Sequence, residues 1–223
     1  IGDRYDELRA LTLLGWIHHS QGRLDAAASC WTEVRRAARA TGNRRNELHA
    51  LTGLGLIHRA QGRYGPAVDC HREALRIARA IGARDAEIEA LTGMADVRYA
   101  DGGFDAAAAC YRQVLDLADE LGAHNWQFEG WFGLGRTRLA TGHPDLAHAA
   151  YEKAAALARD LDNPADLARA HDGLGHTHRA LGRRDLADRH WRQALDILAR
   201  LDIPAADDVT ADAIRAQLTG IGH

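Results

Sequence analysis

Lysine is nearly absent: of 28 basic residues, only Lys153 is not arginine. Against 31 acidic residues the formal net charge is −3. The chain therefore lacks the cationic surplus that a nucleic-acid backbone asks for. Serine is limited to Ser20 and Ser29, and neither has a base and an orienting acid at a meaningful spacing, so nothing encodes a serine nucleophile. No glycine-rich phosphate loop follows a strand pattern, and no apolar run approaches the ~20 residues of a membrane span. Nothing at the start has the charged-then-apolar build of a secretory leader. Neither a catalytic residue nor a cofactor is expected. The chain opens on Ile1 and already fits its internal pattern by Tyr5, so the expectation is a segment of a longer protein.

Cysteine is also sparse, and its placement introduces what is present. Cys30, Cys70 and Cys110 stand 40 residues apart. Equivalent positions on stacked helices lie about 8–10 Å apart, beyond the roughly 7 Å Cα separation a disulfide tolerates. Small buried thiols in a reduced, cytoplasmic protein are expected. Gly15, Gly55, Gly135 and Gly175 keep the same 40-residue grid, with Ala95 in the empty slot. Gly22, Gly62, Gly102, Gly142 and Gly182 keep it without a gap. Five copies of one unit make up the chain, and a repeat of this period means units that bury their apolar faces against neighbours.

Each unit reads as two helices. In the second, Leu48, Leu51, Leu54, Gly55 and His58 fall at helical spacing, and Gln61-Gly62-Arg63 ends that helix. Tyr64, Ala67, Cys70, His71, Ala74, Leu75 and Ala78 give the next apolar face. The other pairs are 5–20 with 24–41, 84–100 with 104–121, 125–141 with 144–161, and 164–181 with 184–201. Asn163-Pro164 reads as an N-cap followed by proline at the first helical position. Asp25, Asp105, Asp145 and Asp185 favour the positive end of a second-helix dipole. Mid-helix glycines at equivalent places suggest another helix passing too close for a side chain. Ala27, Ala67, Ala107, Ala147 and Ala187 form a complementary row. Trp31, Tyr111, Tyr151 and Trp191 fill the next aromatic slot, with His71 standing in once.

Leu51, Leu54-Gly55, His58, Gly62, Tyr64, Ala67, His71 and Ala74 closely resemble the tetratricopeptide repeat (TPR) pattern. The resemblance covers Tyr5 to Leu201. It departs in its 40-residue rather than 34-residue period, which longer helices explain, and in Gly82 or Asp162 where proline is frequent. The implied fold is all-α: a right-handed TPR superhelix, or α-solenoid, of five helix-turn-helix repeats (5–43, 44–83, 84–123, 124–162 and 163–202). A capping helix over about 204–219 carries Ala211, Ile214 and Leu218 as one stripe, and the whole is expected to be a single domain. His190-Trp191-Arg192-Gln193-Ala194-Leu195, Leu201, Ile203-Pro204 and Asp207-Asp208-Val209 resemble the C-terminus of large Streptomyces antibiotic regulatory proteins (AfsR type). That resemblance implies an upstream winged helix, activation domain and nucleotide-binding ATPase module.

In TPR arrays the first helix of each unit lines the concave surface. Here that gives Arg9, Thr12, Trp16 and His19; His49, Thr52, Leu56 and Arg59; Glu89, Thr92, Asp96 and Tyr99; Glu129, Phe132, Arg136 and Leu139; and Arg169, Asp172, His176 and Arg179. These positions vary while the packing rows do not, and aromatics and arginines are the usual anchors of binding surfaces. Glu89, Asp96 and Glu129 make the middle acidic, and Arg136, Arg169 and Arg179 make the far end basic, a polarity that steers a complementary segment. The expected function is a non-enzymatic sensor and interaction domain of a transcriptional regulator. Its partner would be a protein, a peptide, the parent's own ATPase module or a small effector. A free-standing scaffold docking a partner's tail is the alternative, and pairing of two copies stays open. Neither nucleic acid nor membrane is an expected partner. His171, His176 and His178 invite a metal reading, but no cysteine or carboxylate completes a site, so none is expected.

Overall fold

The computed structural model describes the backbone of residues 2–219 and the side chains of residues 8–219. Ten helices occur where the repeat predicts them: α1 (Gly2–Ser20), α2 (Leu24–Thr41), α3 (Arg44–Ala60), α4 (Tyr64–Ile81), α5 (Arg84–Ala100), α6 (Phe104–Leu121), α7 (His124–Ala140), α8 (Pro144–Asp160), α9 (Pro164–Ala180) and α10 (Arg184–Leu201). Among the described residues none of these is long and apolar enough to cross a membrane. Two compact units, 1–110 and 111–223, are taken in turn.

Turn chemistry sets the helix ends. Gly62 adopts φ +69° in the turn between α3 and α4, a left-handed conformation that glycine accepts without steric penalty. There the Arg63 amide donates back to the His58 carbonyl at 2.8 Å, supplying one of the bonds a helix terminus lacks. The same device recurs on the grid, but the junction before α9 uses Asp162 at φ +49°. The Asn163 side chain then caps α9, accepting the Asp166 amide at 3.1 Å, with Pro164 opening the helix as expected.

In the first unit, α1 pairs with α2 and α3 with α4, and α5 stacks on α4. The glycine grid has a different cause from the helix approach that was expected. What presses on these glycines is the aromatic ring of a second helix. A Cβ on Gly15 would stand 2.7 Å from the Trp31 ring, and one on Gly53 would stand 2.5 Å from its other side. His71 is held likewise by Gly55 and Gly93, at 2.5 and 2.4 Å. Gly53, Gly93, Gly133 and Gly173 are thus a second glycine row, each facing the ring of the preceding repeat. At that slot α1 carries Leu13, which is 60% exposed. Buried acids bridge consecutive repeats: Glu47 accepts from Arg39 at 2.6 Å and Arg44 at 2.9 Å, and Glu87 accepts from Arg79 at 2.7 Å and Arg84 at 3.3 Å.

In the second unit, Tyr151 lies between Gly135 and Gly173, and Trp191 lies on Gly175. The tail departs from expectation. In place of one helix from residue 204, β1 (Ala205–Ala206) pairs antiparallel with β2 (Val209–Thr210), and α11 begins only at Ala211 and runs to Thr219. Pro204 has no amide to donate to a helix, and Asp207 takes φ +54° to reverse the chain. Capping is achieved nonetheless: Ala206, Val209, Ala211 and Ile214 are buried with Trp191, Ala194, Ile197 and Leu198, and Leu218 packs at their edge. The three cysteines are free thiols.

Candidate functional site

The first helices of the two units carry the positions expected to line a binding face, and the structure treats the two sets differently. In the first unit these side chains largely remain accessible. Trp16 is 42% exposed, stands edge-on to the His19 ring at 6.1 Å between centroids, and packs against Trp31 at 5.3 Å. His49 is exposed, and Leu56, Arg59, Glu89, Asp96 and Tyr99 are half-buried. Arg59 lies 3.9 Å from Asp96, a loose ion pair across α3 and α5. Tyr99 meets the Phe104 ring at 5.5 Å. Burial raises the Glu89 carboxyl above its ordinary range, and no cation is set against it among the described residues. Thr52 is a correction. It is buried rather than presented, and its hydroxyl finds no partner.

In the second unit two of the expected residues, Phe132 and Arg169, are taken into the fold, while the others stay half-buried or exposed. Arg169 is buried, not free for a ligand. Its guanidinium forks onto Glu129 at 2.7 and 3.1 Å and reaches Asp166 at 2.8 Å and Asp207 of the tail turn at 3.2 Å. It also lies 4.5 Å from the centre of the Phe132 ring and 5.1 Å from that of Phe128. Burial works against its charge, but the Glu129 bonds outweigh that and hold the proton firmly. Phe132 likewise belongs to the core, stacked on Phe128 at 5.7 Å and edge-on to Tyr151 at 5.6 Å. Arg136 donates to the Tyr111 hydroxyl, and Arg179 donates to Gln217 of α11. His176 lies 3.5 Å from Asp172 and edge-on to Trp191. The tail turn and α11 thus draw on two of the residues assigned to the groove, Arg169 and Arg179. Asp207 was visible in the sequence, but its partner 38 positions away was not.

His171 and His178 share a face as expected, with His176 elsewhere. Among the described residues no group of three or more metal-ligating side chains is placed to hold an ion.

The profile of MalT-like TPR regions matches residues 6–170. No curated protein matches the chain. Among solved structures, BtubC (BKLC) from P. vanneervenii is similar at 20% identity over 86% of this chain and 80% of that one, with a TM-score of 0.75. The apo form of RapI is similar at 12% identity over 88% and 72%, with a TM-score of 0.74. A Signal Transduction ATPase with Numerous Domains (STAND) from Pyrococcus horikoshii, which has a tetratricopeptide repeat sensor, is similar at 12% identity and a TM-score of 0.67. The match covers 96% of this chain and only 36% of that one. At these identities the structural likenesses establish the fold alone, while the profile covers most of the chain. This chain belongs to the family of MalT-like TPR regions.

Proposed function

We propose that this chain is the non-enzymatic sensor and interaction region of a transcriptional regulator, and that it takes a protein or peptide segment on the inner face of α1, α3 and α5. The observation that carries the reading is the contrast between the two sets of first helices. Trp16, His49, Leu56, Arg59, Glu89, Asp96 and Tyr99 follow no repeat rule and stay at least partly open. Their counterparts in the second unit include the buried Phe132 and Arg169, and Arg169 and Arg179 hold the tail. An accessible tryptophan and tyrosine flanked by charges of both signs is the composition of a protein-binding surface. The regulator assignment is supported by the MalT-like family, by the fold shared with the TPR sensor of a STAND ATPase, and by the tail's resemblance to large Streptomyces antibiotic regulatory proteins.

A displayed library of random peptides, panned on the chain, tests the binding part. Selected peptides are expected to lose about tenfold or more in affinity with Trp16→Ala or Tyr99→Ala, and little with Arg72→Ala on α4. Peptides indifferent to both inner-face changes would sink the assignment. In the full-length protein the same two substitutions are expected to alter transcriptional output without altering DNA affinity of the isolated DNA-binding part.

A further inference from the structure

A second polar cluster lies away from the inner face. His148 of α8, His171 and His178 of α9 and His190 of α10 form a chain of rings with centroids 5.0, 5.2 and 5.2 Å apart. His171 and His190 stand in slots that the other copies fill with apolar residues or cysteine, such as Leu51 and Leu91 for His171 and Cys70 and Cys110 for His190; the slot of His148 holds Val68 in the second copy and Asp188 in the fifth. The repeat alone therefore does not account for them. His171 and His178 are buried, and Nδ1 of His178 has no hydrogen-bond partner.

The contact between His171 and His190 is specific. Their Nδ1 atoms are 3.0 Å apart, which requires one to donate and the other to accept. One proton between the two nitrogens holds the rings together. A proton added at the free Nε2 of the donor ring leaves that bond in place, but once both rings are imidazolium two donors face each other and the bond is gone. Little nearby offsets the added charge. From α8 the cluster is faced by Glu152, 3.9 Å from Nε2 of His148, and by Arg159. Arg183 lies in the turn before α10 and Arg189 on α10 itself. The cations outnumber the single acid.

We propose that these four histidines form an acid-sensitive latch holding α8, α9 and α10 together. It is closed while one proton bridges His171 and His190 and opens once both rings are imidazolium. Burial, then neighbouring imidazoles, push His171 and His178 down to about 4. An imidazole that is neutral in the closed form and ordinary in the open form multiplies the open population by up to about tenfold per pH unit below 6.5. Opening loosens the helix that carries Arg169 and with it the tail turn held by Asp207.

Hydrogen exchange of the whole chain, corrected for intrinsic rates, tests this at pH 7 and pH 5. Protection in α9, α10 and the tail is expected to fall at least about tenfold, while α3 and α4 change little. A variant that restores the slots of the other copies, His148→Val with His171→Leu and His190→Cys, is expected to abolish that local loss. Retention of the loss in this variant, or its absence from the natural chain, overturns the latch. So does Zn²⁺ raising the melting temperature of the natural chain but not of the variant, which would make the cluster a metal site. Should the variant fail to fold, histidine titration by NMR on the natural chain decides: His171 and His190 must titrate as a coupled pair below 6.5. Independent titration near 6.5 refutes the proposal.

Discussion

Substituting Gly173 by alanine sets two opposing effects against each other. In a helix interior, alanine gains up to about 1 kcal/mol over glycine. At Gly173 the new Cβ would stand 2.4 Å from the Tyr151 ring. Carbon atoms rest at roughly 3.5–4.0 Å, so the ring must retreat by about 1 Å. It has no room, because Gly135 closes its other face, with a Cβ position 2.8 Å away. Overpacking of this kind costs typically about 1–3 kcal/mol. The net expectation is a loss of about 1 kcal/mol despite the better helix former. Gly65 of α4 is the control: it is exposed, with nothing within 4 Å of its Cβ position. Gly65→Ala is expected to stabilise by up to about 1 kcal/mol. Urea denaturation followed by far-UV circular dichroism gives both numbers. In a Tyr151→Ala background the ring is gone, and Gly173→Ala should become neutral or stabilising. If Gly173→Ala stabilises the natural chain, the ring does not explain the second glycine row.

Three further outcomes follow from the ion pairs and turns. Arg169→Met leaves Glu129 and Asp166 facing one another and is expected to cost about 2–3 kcal/mol in urea denaturation. This lies below the range for fully buried pairs because Glu129 and Asp207 are 32% and 69% exposed; adding Glu129→Gln should recover part of it. Burial opposes the charge on Glu47, but the bonds from Arg39 and Arg44 outweigh it and hold the carboxyl below its ordinary 4.5. Its contribution is therefore present above pH 4.5 and lost as pH falls through the depressed value. Glu47→Gln should lower neutral-pH stability by roughly 1–3 kcal/mol and flatten the acid limb of a melting-temperature profile. Asp162→Gly, at φ +49° where other junctions use glycine, should raise stability by about 0.5 kcal/mol by relieving a left-handed side chain, read as a shift in urea midpoint.

Helix positions were legible in the sequence because each depends on local signals. Gly62, Asn163-Pro164 and the first-turn aspartates act within one turn of themselves, and the structure uses them as expected. The tail was harder. Ala211, Ile214 and Leu218 do share a stripe, but a two-residue strand pair leaves no periodicity to detect, and Pro204 and Asp207 alone did not announce the reversal. The inner face was readable only as a set of positions. Whether such a position is open depends on what returns to cover it, and Arg169 is buried because Asp207 comes back to it. Thr52 and Phe132 illustrate the same limit: slot membership gives the direction of a side chain, not the size of the gap it meets.

Departures from the grid carry more information than agreement with it, and they differ in physical kind. Ala95 in a glycine slot stays within the range of small residues. Leu13 in the other glycine row is incompatible with the tight ring contact made at Gly53 or Gly93, and its side chain is exposed, so α1 does not make that contact. His171 and His190 exchange apolar contact for a hydrogen bond that is lost once both rings are imidazolium. His171 is buried and its Nδ1 finds its partner in His190, so His171 depends on His190 for that bond. That coupling separates the cluster from His18 and His58, which share a slot with His178 but have no counterpart of His190 beside them.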